Sequence, residues 1–309
     1  MRVFDVLTPA LASSELATLG IAVAPEDVRL VRRDVKWVAQ LPGDRAAWFA
    51  ASDEGGALMT RERRVLRVLE RRCRFSAPRV VIESTDGAVD VRVTVPGAHD
   101  ADAVFERVRN EPGAAERIGA EIGSILADLH SNVESADVAG WLPHEPSWPE
   151  PRDWIEERLP RVVRDRTLQA RANAVMQAYE RETQNTPPRD RALVHSDLGF
   201  HNIVVDRESL DVHGVFDWEA ACWADRHFDF RYLLVDGQRT DLLDSAVTTY
   251  EEATGCVISR SRVQLYNAAC AITYLAFRDG VRADQLSCGR TLAEDIAWTH
   301  EAIARAERG

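Results

Sequence analysis

His195-Ser196-Asp197-Leu198-Gly199-Phe200-His201-Asn202, followed fifteen residues later by Asp217 in Phe216-Asp217-Trp218-Glu219, is the stretch that decides how this chain is read. Two short apolar runs, Ile203-Val204-Val205 and Gly214-Val215-Phe216, flank the polar stretch from Asp206 to His213 and predict two antiparallel strands joined by a turn. Asn202 sits immediately before the first strand and Asp217 immediately after the second, so the hairpin brings an amide oxygen and a carboxylate to one end of the ribbon. Magnesium takes a few hard oxygens from protein and completes its octahedron with phosphate oxygens and water, so Asn202 and Asp217 suffice as its protein ligands. Asp197, on the loop leading into the hairpin, can then face a hydroxyl and accept its proton during phosphoryl transfer. His195 is expected to hold that catalytic loop through hydrogen bonds.

On these residues the segment from Leu193 to Leu234 resembles the catalytic core of the aminoglycoside and macrolide phosphotransferase family, small-molecule relatives of the protein kinases. Asp225 and Asp229, in Trp223-Ala224-Asp225-Arg226-His227-Phe228-Asp229-Phe230, match two family aspartates. The second is expected to brace the catalytic loop from a helix start. Ala120 to Ser131 resembles the family helix that closes on Leu-His-Ser, and Val95-Pro96-Gly97 resembles its link between lobes. Val93 and Val95, leading into that link, are expected to border the nucleotide. Arg61-Glu62 resembles the opening of the small-lobe helix.

The resemblance implies an α+β, two-lobed, protein-kinase-like fold. Residues 1–95 would form a small mixed nucleotide-binding lobe, and residues 96–309 a larger, mainly helical lobe for catalysis and acceptor binding. It implies ATP or GTP as phosphoryl donor with Mg2+, and a hydroxyl as acceptor. One departure stands out. The family carries a lysine on its third small-lobe strand that contacts the phosphates and pairs with the helix glutamate, yet Ala46 to Ser52 holds no cation and Lys36 is the only lysine in the chain. Either Glu62 points to solvent or another cation has replaced the missing one. Lys36, on the preceding strand, is one substitute; Arg33, in the glycine-free loop Arg32-Arg33-Asp34, is the other.

Elsewhere the pattern fits this frame. Val28 to Val31, Trp37 to Leu41, Ala46 to Ala51, Val80 to Ile82 and Val89 to Val95 are predicted strands, with Pro42-Gly43-Asp44 as a turn. Leu58, Val65, Leu66, Val68 and Leu69 mark a helix, as do Ile118, Ile122, Ile125, Leu126 and Leu129. Four prolines between Trp141 and Arg152 predict an irregular connection. Further helices are expected around 152–164, 167–185, 241–254, 261–279 and 290–307.

At 309 residues and 45% apolar content the chain can bury one large core or two lobes. A net charge of −12 disfavours nucleic acid or an anionic membrane as partner. Cys73, Cys222, Cys256, Cys270 and Cys288 are widely spaced and contain no Cys-x-x-Cys pair, which predicts reduced thiols in a cytoplasmic protein. No signal peptide is apparent, and the apolar stretch near Ala268 to Phe277 is too short to span a bilayer.

For the acceptor, Glu219, Asp153 and the neighbouring Glu156 and Glu157 could hold an amino sugar, whereas Trp223, with Trp141, Trp148 and Trp154, could line an apolar site. Three functions are open at this point. The first is a kinase of a small hydroxylated molecule such as an aminoglycoside or macrolide antibiotic. The second is a kinase-like enzyme acting on Ser or Thr of a peptide in natural-product biosynthesis. The third is a pseudokinase that binds a partner protein.

Overall fold

The computed structural model describes every residue except 98–99, 207, 236–239, 283 and 288, so Cys288 lies outside the described residues. The N-terminal part runs α1 (Pro9–Thr18), β1 (Arg29–Arg33), β2 (Lys36–Leu41), β3 (Arg45–Ala50), α2 (Asp53–Arg72), β4 (Arg79–Glu83) and β5 (Val89–Val93). Its strands form one antiparallel sheet in the order β1-β2-β3-β5-β4. Side chains alternate across a strand, and the register sorts the two faces. Ala39, Ala47, Phe49, Val89 and Val91 pack with Leu16 of α1. Lys36, Val38, Trp48 and Arg92 share the opposite face.

Helix α2 begins where Ser52 Oγ accepts the Gly55 N–H at 3.0 Å, with Asp53 and Glu54 favourable in the first turn. Glu62 therefore lies near the middle of a helix that starts nine residues before it, a correction to its expected place at the opening. The Gly55 position is constrained: a Cβ there would meet the Val35 carbonyl oxygen at 1.9 Å, so only glycine lets the β1–β2 loop rest on the helix start.

The C-terminal part continues with α3 (Ala101–Asn110), α4 (Ala114–Asn132), a single turn α5 (Ser135–Val138), α6 (Arg152–Val162) and α7 (Arg166–Gln184). The strands β6 (Arg191–Val194), β7 (Ile203–Val205), β8 (Val212–Val215) and β9 (Cys222–Asp225) follow, then α8 (Tyr232–Val235), α9 (Thr240–Thr254), α10 (Arg260–Ala276) and α11 (Leu292–Arg308). The proline-rich connection is irregular from residue 139 to 151, as its composition requires. The expected hairpin is β7–β8. The antiparallel pairing of β6 with β9 joins the entry to the catalytic loop with the strand that follows Asp217, a contact the sequence did not disclose.

Two interior clusters hold the helical part. One joins Val65, Leu66 and Leu69 of α2 to Ile118, Ile122 and Leu126 of α4 and to Leu242 and Val247 of α9, so α2 is shared between the sheet and the helical body. The other packs α6 and α7 on α10 and α11 through Leu159, Met176, Ile272 and Trp298. The interlobe link is tight. Gly97 has φ 134°, and a Cβ there would meet Val204 Cγ1 at 2.6 Å, while the His213 ring nitrogen Nδ1 donates to the Pro96 carbonyl at 3.2 Å. Cys73, Cys222, Cys256 and Cys270 are free thiols. Among the described residues no helix is long and apolar enough to cross a membrane.

The closest helix contact yields a stability prediction. A Cβ at Gly123 of α4 would sit 2.3 Å from the Ala246 carbonyl oxygen of α9, so Gly123→Ala must push the helices apart. Urea denaturation is expected to report a loss of about 1–3 kcal/mol; an unchanged midpoint would contradict the close packing.

Candidate active site

Strand β6 carries the chain into the loop that begins at His195, and that loop hangs from Asp229. The carboxylate has no solvent exposure. Its Oδ2 accepts the His195 backbone N–H at 2.9 Å and its Oδ1 accepts that of Ser196 at 2.8 Å. Ser196 is held at φ 71°, a left-handed conformation that costs roughly 1–3 kcal/mol in a non-glycine residue. Arg231 secures its other side by donating to the Ser196 carbonyl at 2.5 Å. Behind Asp229, His130 Nε2 lies 3.2 Å from Oδ2, and Tyr250 links His130 to Arg226 at 3.3 and 2.7 Å. Asp229 lies inside a 3₁₀ helix, Arg226–Phe230, whose N-cap is Asp225. Asp225 is buried and bonded to the His227 N–H at 3.0 Å and the Tyr266 hydroxyl at 2.7 Å.

His195 is fully buried, and its hydrogen bonds define its tautomer. A carbonyl can only accept, so Nε2–H donates to Phe216 O at 2.9 Å; Nδ1, left as acceptor, takes the Asp197 N–H at 3.2 Å. Burial holds the imidazole below its ordinary pKa. A neutral ring thus ties the Asp197 loop to the residue before Asp217, in keeping with the positioning expected of it.

Asp197 keeps 37% of its side chain exposed, enough to meet a substrate. Burial works against its charge, but His201, His195 and Arg231 outweigh it and hold the carboxyl below its usual value. Its Oδ2 pairs with His201 Nε2 at 3.3 Å and accepts from Asn202 Nδ2 at 3.0 Å; the same Nδ2 donates to the Asp197 carbonyl at 2.8 Å. Asn202 thereby spends its nitrogen on Asp197, and its amide oxygen takes no part in those bonds.

The Phe216 N–H donates to the Asn202 carbonyl at 3.0 Å, which closes the ribbon and sets Asn202 and Asp217 side by side as the spacing predicts. Asp217 adopts φ 63°. Burial, together with Glu62, Glu219 and Asp197, pushes its carboxyl up to about 7 against the single opposing charge of Lys36. Excess negative charge of this kind is what a divalent cation would offset. The donor chemistry therefore fits magnesium, with Asn202 and Asp217 as hard oxygen ligands. No group of three His, Cys, Asp or Glu suited to a metal occurs among the described residues, so the rest of an octahedron would fall to phosphate and water.

Two cations lie near Glu62 although β3 carries no lysine. Arg92, on β5, pairs its Nη1 with Glu62 Oε2 at 2.8 Å and stacks its guanidinium 4.2 Å over the Trp48 ring. Glu62 Oε1 accepts the Trp218 N–H at 3.2 Å, so α2 is fastened to the loop that carries Asp217. Glu62 is buried, not turned to solvent; burial opposes its charge, yet Arg92 and Lys36 hold it below the ordinary range. Lys36, 7% exposed, reaches across from β2 to an ion pair with Glu219. Burial opposes its charge too, but Glu62, Glu219 and Asp217 raise its pKa. Arg33 is exposed on β1.

Sequence reasoning missed Arg92, although Val89-Asp90-Val91-Arg92-Val93 alternates apolar and charged residues and so announces a charged face on a buried strand. Val93, at the end of β5, is half-buried and Val95 is buried, both at the interlobe link. Glu219 is engaged by Lys36. Trp223 packs on the larger helical core. Asp153 is exposed and accepts the Trp154 N–H of its own helix at 2.8 Å.

With this geometry in view, comparison with known proteins places the chain among relatives. Residues 33–266 match the model of the phosphotransferase enzyme family, APH. Solved structures resemble it over nearly the full length. Wild-type aminoglycoside 2'-phosphotransferase-IIIa in its GDP complex aligns with TM-score 0.66 at 18% identity, covering 94% of this chain and 98% of that one. Macrolide 2'-phosphotransferase MphH from Brachybacterium faecium gives 0.63 at 16%, covering 97% and 98%. The streptomycin-ATP complex of APH(2")-IIa gives 0.61 at 15%, covering 97% of each chain. No curated protein matches the sequence.

Two stability outcomes follow from the buried charges. Arg92→Met strips Glu62 and Asp90 of a buried counter-charge and is expected to cost about 3–5 kcal/mol in urea denaturation; a loss under 1 kcal/mol would refute the pairing. His130 and His195 are both held below their ordinary pKa by burial. The unfolded chain therefore binds protons that the native state refuses as pH falls below about 6.5. Their stabilisation is present above that pH and lost as pH drops toward the folded pKa, whereas Asp217, raised to about 7, acts in the opposite sense by taking up a proton in the folded state. The contribution of His130 is therefore read as a difference: the gap in melting temperature between the parent and His130→Gln should narrow between pH 7.5 and 5.5.

Proposed function

Because the chain belongs to the phosphotransferase enzyme family, we propose that it transfers the terminal phosphoryl group of ATP or GTP to a hydroxyl of a small molecule, in the class of aminoglycoside and macrolide antibiotics. The observation that carries this reading is the convergence of Asp197, Asn202 and Asp217 on one loop and one hairpin, braced by Asp229. Residues 1–95 supply the sheet and helix over the nucleotide, and residues 96–309 the catalytic loop and acceptor side, in a cytoplasmic protein.

The acceptor hydroxyl meets Asp197 at Oδ1, the oxygen left when Oδ2 is taken by His201 and Asn202. As the oxygen–phosphorus bond forms and the bond to the leaving diphosphate breaks, the hydroxyl proton passes to that carboxylate. Asn202 and Asp217 would hold Mg2+, which when bound draws charge from the phosphate oxygens. Lys36 exchanges Glu219 for a phosphate oxygen, and Arg92 takes over the structural half of the usual lysine by holding Glu62. Val93 and Val95 border the base. His195 keeps the two loops in register and moves no proton, since both of its nitrogens are committed.

Thermal-shift titration with ATP and GTP, each with and without Mg2+, tests nucleotide binding first. Ligand at about 100 times Kd adds roughly 2.7 kcal/mol to the native state, so one Mg-nucleotide should raise the melting point by several degrees; a flat response to both at millimolar concentration would exclude the reading. In transfer assays Asp197→Ala is expected to lower kcat roughly 10²–10⁴-fold with little change in nucleotide affinity. Lys36→Met should abolish transfer, and a fully active Lys36→Met would remove that residue from the phosphate site.

A further inference from the structure

Three residues of α10 lead outward from the catalytic loop. Cys270, Tyr274 and Phe277 are spaced i, i+4 and i+7, so they share one helix face. Cys270 is fixed beside the loop: Arg231 Nε contacts its Sγ at 3.1 Å while the same guanidinium donates to Ser196 O. Phe277, about 10 Å further along the axis at 1.5 Å per residue, is 42% exposed. Two tryptophans from the proline-rich connection and α6 extend the line. The Trp148 ring lies 4.9 Å from Tyr274 and 5.1 Å from Phe277, and Trp154 lies 4.7 Å from Phe277. At the inner end the Tyr232 ring is 6.2 Å from that of His201, which pairs with Asp197. Tyr232 has both Asp197 and Tyr274 as neighbours, and Cys270 has Trp148 and Asp197, so the aromatic cluster begins beside the loop of the proton-accepting carboxylate and ends at the exposed Phe277.

The charges around this ledge oppose a polycation. Aromatic faces could bind ammonium groups, but Arg158 already lies 4.2 Å over Trp154, and Arg290 5.3 Å over Tyr274. The two glutamates of α6 are neutralised as well: Glu156 pairs with Arg152 at 3.3 Å, and Glu157 with Arg158 and Arg161 at 3.3 and 2.9 Å. Of the three acidic residues that sequence offered for an amino sugar on that helix, two are spent on neighbouring arginines and Asp153 accepts the Trp154 N–H.

We propose that Trp148, Trp154, Tyr274 and Phe277 form the acceptor subsite, and that the acceptor is a hydroxylated molecule with a broad apolar face and few positive charges, not a polycationic amino sugar. This rests on the phosphotransferase reading and narrows its substrate class. Apolar area removed from water at such a ledge supplies affinity without directional demands, so it suits a large ring system whose hydroxyl must still reach Asp197.

Isothermal titration of the full chain with erythromycin, an apolar macrocycle with hydroxyls and one amine, and with kanamycin, a polyamine, tests the class without requiring turnover. Erythromycin is expected to bind at least 10-fold more tightly. Phe277→Ser, at an exposed position that leaves the fold intact, should weaken erythromycin binding 10-fold or more while the Mg-nucleotide thermal shift stays as in the parent. Tighter binding of kanamycin, or Phe277→Ser with unchanged erythromycin affinity, would overturn the subsite and leave nucleotide binding standing. Loss of nucleotide binding in the parent chain would instead strike the phosphotransferase reading, and the acceptor class with it.

Discussion

The Asp229 carboxylate is the interaction on which the rest of this site depends. A charged group with no solvent exposure is tolerable only when its oxygens are filled, and here the donors that fill them are the backbone N–H groups of His195 and Ser196 and the ring of His130. The same bonds that make the buried charge acceptable impose the left-handed turn at Ser196. That turn aims Asp197 away from the core, and the neutral His195 then sets the distance to the Asp217 loop. One buried anion thus converts the packing of a helical body into the placement of a reactive oxygen.

Glu62 plays the corresponding part between sheet and helix. It is anchored from one side by Arg92 of β5 and from the other by the Trp218 amide, so the sheet and α2 are fastened to the loop that carries Asp217. A lysine on β3 would combine two tasks, holding this glutamate and meeting phosphate. In this chain the tasks are divided. Trp48 faces the cleft from β3 and stacks on Arg92, Arg92 does the holding, and on the proposed reading Lys36 is free of that duty and can turn from Glu219 to a nucleotide. An arginine suits the holding role, since its planar fork can serve Glu62 and Asp90 together.

Local features were legible in the sequence. The β7–β8 hairpin, the amphipathic α2 and α4, and the irregular proline-rich connection all follow from periodicity and turn chemistry, and the spacing of Asn202 and Asp217 foretold their adjacency because a hairpin fixes which residues face each other. What escaped depends on contacts remote in sequence. Nothing near residue 92 says that its partner is Glu62, thirty positions earlier, and nothing in Glu219 says that its charge is met by Lys36. The β6–β9 pairing failed to register for the same reason: two four-residue strands separated by the whole catalytic hairpin leave no local signature. The extent of α2 was misjudged because its first turn holds Gly55 and Gly56, poor helix formers whose presence is explained by remote neighbours, the Val35 carbonyl against Gly55 and the Met1 side chain against Gly56.

The balance of charge in the cleft connects these points. Burial first, and then Glu62, Glu219 and Asp197 as repulsive neighbours against Lys36 as an attractive one, push the Asp217 carboxyl up to about 7. Pairing with Glu219 satisfies Lys36 but does little for Asp217, because the pair is nearly neutral when seen from a third group. A bound nucleotide would add still more negative charge, so phosphate could not enter this chamber on the strength of one ammonium group. On the proposed reading entry is coupled to a multivalent cation, and donor and metal bind as a unit. The division of labour between Arg92 and Lys36 makes that coupling stricter than a β3 lysine would, since the cation that stabilises the resting fold, sequestered between Glu62 and Asp90, is not the one available to the incoming phosphates.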